Sequence, residues 1–141
     1  MNQQGSVILL YCIVAAAVLI YLPFLIVGYA RVKVGYDLSA PRAMLDKLPP
    51  YAQRATWAHQ NSFEAFMIFT AAALMAYVTG QNSSLAVGVA IAFIIARSLY
   101  SLFYTLDIPL ARSLMFAIGS ACSGTLFVIS LLSANNPIKL L

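Results

Sequence analysis

The chain has 141 residues, of which 62% are hydrophobic and 9% charged, against about 25% charged in an ordinary soluble domain. Its mean hydropathy of +0.89 excludes a protein wetted over its whole surface, and the net charge of +4 is too localised to require a nucleic-acid partner. Four membrane spans of ~20 residues each use most of the length, so the expectation is one all-α domain over residues 1–141, a four-transmembrane-helix bundle with short connections.

The first apolar run extends from about Val7 to Ala30 and contains Pro23, whose missing N–H should bend it. A secretory signal has a basic start and an apolar stretch of roughly 7–15 residues. Here Met1-Asn2-Gln3-Gln4 carries no basic group and the run is longer, so it is read as a retained span. A connection of some twenty residues follows, from Arg31 to Pro50, holding Arg31, Lys33, Asp37, Arg42, Asp46 and Lys47. Pro49-Pro50 then favours a new helix start. Span two is expected over about 51–78, ending at Gly80, and Gly80 to Ser84 forms an uncharged turn. Span three is expected over about 85–106. Asp107-Ile108-Pro109 breaks the chain, and span four is expected over about 110–133. Pro137 and Lys139 lie in the tail.

Four of the basic residues, Arg31, Lys33, Arg42 and Lys47, sit in the first connection, with Arg54 just beyond. The turn after span two holds none. The positive-inside rule therefore puts the first and third connections in the cytoplasm and both termini on the far side, Lys139 dissenting. Cys12 and Cys122 lie within apolar runs, and His59 is the single histidine. No Cys/His cluster exists, so no metal site is expected.

Charged groups inside a span cost about 2.5–3.5 kcal/mol at a helix centre, which makes them the candidates for function. At about 100° per residue, Arg54, Trp57, Asn61 and Glu64 share one face of span two, with His59 nearly opposite Asn61. Arg97, Tyr100, Ser101 and Tyr104 share a face of span three. These spans are antiparallel neighbours, so Glu64 and Arg97 are expected to pair. A buried pair by itself says more about packing than about function. Arg31, Tyr104 and Arg112-Ser113 all fall at helix ends on the same side of the membrane. Headgroup anchoring explains any one of them; together, above Asn61 and Glu64, they suggest a pocket for an anionic ligand.

The stretch Arg54-Ala55-Thr56-Trp57-Ala58-His59-Gln60-Asn61-Ser62-Phe63-Glu64 resembles the R-x-x-x-A-H-x-N-x-x-E signature of the MAPEG family, the membrane-associated proteins of eicosanoid and glutathione metabolism. The resemblance extends through Arg97, Tyr104 and Arg112-Ser113 and covers nearly the whole chain. It implies a MAPEG-like homotrimer, with glutathione as bound thiol cosubstrate between adjacent subunits near the cytoplasmic face. It implies glutathione contacts at Arg31, Asn61, Glu64, Tyr100, Tyr104 and Arg112, a structural Glu64–Arg97 pair, and Arg112 and Ser113 beside the thiol as the catalytic residues. The implied activity is a transferase or peroxidase acting on hydrophobic electrophiles or lipid hydroperoxides drawn from the bilayer. Trp57 and Gln60 stand where several glutathione-using relatives have arginine, and Tyr100 where some have histidine, which makes the implied pocket less cationic. A non-catalytic lipid-binding or scaffold member of the same family is the alternative. A proton-coupled transporter of four short helices would need an unpaired membrane acid; here Glu64 is expected to pair with Arg97, and span one has no acid.

Overall fold

The computed structural model describes residues 3–135; Pro137 and Lys139 lie outside the described residues. Four long helices, α1 (Gln3–Val34), α2 (Pro50–Val78), α3 (Ser84–Thr105) and α4 (Pro109–Ala134), carry the fold. All four are long and apolar enough to cross a membrane, so the chain is an integral, multi-pass protein. Each begins or ends within a few residues of its expected boundary. The departure is at the end of α1, which continues through Arg31 and Lys33 to Val34.

The first connection is more structured than its sequence suggested. A 3-10 helix, Pro41–Lys47, follows an Asx turn in which Ser39 N–H donates to Asp37 Oδ1 at 2.9 Å. Buried Met44 and Leu48 anchor this segment, Leu48 in a cluster with Val27, Ala30, Ala52 and Ala55. Pro50 and Pro109 each open their helices, where the missing N–H costs nothing. Ser83 caps α3 by accepting from Ala86 N–H at 3.2 Å.

Small residues set the packing. Buried Ala72, Ala73 and Ala76 of α2 face Ala86 and Ala90 of α3 and Cys12 and Ala16 of α1 in one core. In lipid, helices associate through such close packing, since apolar burial alone gives no preference for protein over acyl chain. Phe69 and Phe93 fill the middle as a stacked pair, 3.9 Å between ring centroids and 4° from parallel. Gly5 lets the start of α1 pass the α2–α3 turn, because a Cβ there would stand 2.8 Å from the Asn82 carbonyl oxygen.

The helix order explains where a site can form. α2 and α3 make the central pair; α1 packs on one flank of it and α4 on the other. His59 faces α1, its Nδ1 2.7 Å from the Ile20 carbonyl oxygen. That distance requires the proton on Nδ1, donated to a carbonyl one turn before Pro23. The opposite face of α2, carrying Asn61 and Glu64, turns towards α4.

Candidate functional site

At ~1.5 Å per residue, Asn61 and Glu64 lie about 17 and 21 Å along α2, near the middle of a helix long enough to cross a membrane. Arg97 of α3 is buried, 5% exposed, and its Nη2 donates to Asn61 Oδ1 at 2.9 Å. Asn61 Nδ2 in turn donates to Glu64 Oε2 at 3.2 Å. The expected direct Glu64–Arg97 ion pair is therefore not formed. An asparagine carries both an acceptor and a donor, and Asn61 uses one towards each charge, so the two are joined through its amide. The Tyr100 ring covers the other side of Arg97, 3.9 Å from ring centroid to Cζ. Gly119 of α4 leaves room for the arginine stem; a Cβ there would come within 3.3 Å of Arg97 Cδ.

Towards the end of the bundle where α3 turns into α4, Arg112 lies over the Tyr104 ring at 4.5 Å. Tyr100 meets Tyr104 edge-on at 5.6 Å, and Trp57 approaches Tyr104 at 6.5 Å. Asn61, Tyr100, Tyr104, Arg112, Ser113 and Phe116 line one cavity of about 260 Å³. A second cavity of about 270 Å³ lies further from that end, bordered by Glu64, Arg97, Gly119 and Phe93. Asn61 and Phe116 border both, so the two adjoin in a cleft between α2, α3 and α4. Together they reach the size range of small-molecule sites, roughly 300–1,000 Å³.

Of the residues singled out from sequence, Asn61, Glu64, Arg97, Tyr100, Tyr104, Arg112 and Ser113 border this cleft. Arg31 is not brought to it. It lies along α1, its Cζ 5.8 Å from the centroid of the Phe24 ring, and α1 is on the flank away from α4. Its Nε is buried without a hydrogen-bond partner. Ser101 also separates from its expected companions, because it borders a different groove between α1 and α3. Sequence reasoning missed Phe116 and Gly119, which carry no polar signal. It also missed an ion pair at the corner of the bundle, Arg54 Nη1 to Asp107 Oδ2 at 3.7 Å, the only one within 4.0 Å among the described residues. No group of three or more potential metal ligands occurs among the described residues.

The sequence model of the MAPEG family matches residues 8–132, a stretch that takes in most of α1 and α4, all of α2 and α3 and every residue of the cleft. The chain belongs to the MAPEG family. Membership places it among four-helix membrane bundles associated with glutathione and eicosanoid metabolism. No curated protein and no solved structure matches the chain significantly. The MAPEG signature can now be assigned physical roles: His59 ties α2 to α1, Asn61 ties α2 to α3, and Arg54 ties α2 to the α3–α4 corner.

Proposed function

We propose that this MAPEG protein is a glutathione-dependent transferase, with peroxidase activity towards lipid hydroperoxides, acting on hydrophobic molecules that enter from the bilayer. The observation that carries the reading is the convergence of Arg112, Ser113, Tyr104 and Asn61 on one cavity. A thiol with an ordinary pKa near ~8.5 is mostly protonated at neutral pH, and the thiolate is the nucleophile. Arg112 supplies the positive charge that favours the thiolate, Tyr104 holds that guanidinium against its ring, and Ser113 donates a hydrogen bond to the sulfur. Glu64 has acceptor capacity left for an ammonium group. The donor set thus suits a small zwitterionic thiol bearing carboxylates.

A second copy of the chain completes the site. Glu64 is exposed in one subunit at a depth where a charge facing lipid is costly, so its flank of the cleft requires a covering surface. Arg31 stands on the opposite flank, near the end of α1. Rotational assembly into a homotrimer brings the Arg31 side of one subunit against the Glu64 side of the next and adds a cation for a carboxylate. The basic first connection orients this end of the bundle to the cytoplasm.

The test is a glutathione binding isotherm in detergent, together with conjugation of a generic aromatic electrophile. Saturable binding and turnover are expected in wild type, with turnover at neutral pH sharply reduced in Arg112→Ala. Neither binding nor turnover in wild type sinks the reading. A non-catalytic lipid-binding role is the second reading, favoured by a groove of about 350 Å³ between α1 and α3, bordered by Leu19, Leu22, Pro23, Ile26 and Leu102. It calls for a lipid that co-purifies and for no thiol chemistry.

A further inference from the structure

Only Leu106, Asp107 and Ile108 separate α3 from α4, so this corner decides where the first turn of α4, with Arg112 and Ser113, lies. The backbone closes as a Schellman ending: Asp107 N–H bonds the Tyr104 carbonyl at 3.2 Å and Ile108 N–H bonds the Phe103 carbonyl at 2.9 Å. Asp107 sits at φ 61°, the one non-glycine residue with positive φ among the described residues. Glycine is the usual occupant of that position, because a Cβ crowds the following carbonyl there.

What an aspartate gains at this strained position is a carboxylate directed at α2. Arg54 Nη1 lies 3.7 Å from Asp107 Oδ2, and Arg54 Nε donates to the Thr105 carbonyl at 3.2 Å. One guanidinium from α2 thus grips the last residue of α3 and the turn that follows it. Arg112 N–H then bonds the Ile108 carbonyl at 3.0 Å, so the first turn of α4 hangs from the residue next to Asp107. Asp107 is 64% exposed, and an exposed pair contributes little attraction. Its contribution is direction.

We infer that Arg54 and Asp107 are positioning residues, a clamp from α2 that aims the first turn of α4 and so sets Arg112 and Ser113 relative to the cleft. The catalytic consequence rests on the reading of Arg112 as the thiol-activating group. A misplacement of about 1 Å at a reacting centre costs on the order of a hundredfold in rate.

The experiment compares full-length wild type, Arg54→Ala, Asp107→Gly and the double variant in detergent. Asp107→Gly is the informative change, since it relieves the left-handed backbone while removing the carboxylate. Its unfolding temperature is expected at or above wild type. Its kcat is expected to fall about ten- to hundredfold, with the KM for glutathione and the conservative Asp107→Glu variant's rate both closer to wild type. The double variant should be no worse than Arg54→Ala by more than about twofold. Amide hydrogen exchange at Arg112 should speed up in each variant, a readout that needs no turnover. A wild-type kcat in Asp107→Gly, whatever the exchange, overturns the inference, as do independent, multiplying effects of the two changes. If wild type itself turns over no thiol substrate, the functional reading is what fails; exchange then decides the clamp, faster sustaining it and unchanged overturning it.

Discussion

Truncating Asn61 should cost the fold more than neutralising Glu64, although Glu64 carries the charge. Asn61→Ala removes the 2.9 Å bond to Arg97 and leaves a guanidinium that is 5% exposed with the Tyr100 ring at 3.9 Å as its remaining close partner. A hydrogen bond to a charged group contributes about 1.5–3 kcal/mol, and the retained ring face limits further loss. The expected destabilisation is about 2 kcal/mol, roughly thirtyfold in the unfolding equilibrium. Glu64→Gln keeps an acceptor oxygen for the Asn61 amide on an exposed side chain, so its effect should stay within about 0.5 kcal/mol. Reversible unfolding in mixed micelles with increasing SDS, followed by far-UV circular dichroism, measures both. If Glu64→Gln costs as much as Asn61→Ala, the two charges interact directly and the bridging role of the amide is wrong.

Other expectations test separate links. Tyr104→Phe should preserve the ring beneath Arg112, whereas Tyr104→Leu should cost about 0.5–2 kcal/mol of transition-state stabilisation, read as a three- to thirtyfold drop in kcat/KM on the order of that energy; equal rates in the two variants would remove the ring from the mechanism. Gly5→Val drives a side chain towards the Asn82 carbonyl at 2.8 Å and should lower stability by about 1–3 kcal/mol, measured by the same unfolding titration, while an unchanged midpoint would mean the α1 start yields freely. Trp57→Arg adds a cation beside Tyr104 and should tighten glutathione binding by about two- to fivefold in a calorimetric titration; weaker binding would argue that the indole itself contacts the ligand. Conjugation should rise with pH as thiolate forms, with a midpoint below the free thiol's ~8.5 in wild type and closer to it in Arg112→Ala. Identical midpoints in the two proteins would rule out Arg112 as the activating charge.

Apolar run length made the helices legible, and Gly80, Pro50 and Pro109 marked their ends. Helical periodicity also placed Asn61 and Glu64 on one face and His59 on the other, which the contacts to Arg97 and Ile20 bear out. What periodicity could not supply was which helices are neighbours. α1 and α4 take opposite flanks of the α2–α3 pair, so Arg31 and Arg112 are apart in one subunit even though both lie at the same end of the bundle. Nor does charge complementarity reveal an intermediary: Glu64 and Arg97 are opposite in sign and similar in depth, yet the short amide of Asn61 reaches both. Asp107 looked like a helix breaker ahead of Pro109, and nothing in its spacing from Arg54 announced that α2 holds the corner. Such partners depend on the turn geometry, which a backbone at φ 61° decides and a residue pattern does not.

The cleft's chemistry comes down to whether Arg112 stabilises a thiolate. Ultraviolet difference spectroscopy of the protein in micelles, titrated with glutathione at neutral pH, observes that species directly. Saturable thiolate absorbance in wild type, absent in Arg112→Ala at equal occupancy, is the expected result. Glutathione bound to wild type with its thiol still protonated, or a thiolate undiminished in Arg112→Ala, would contradict it.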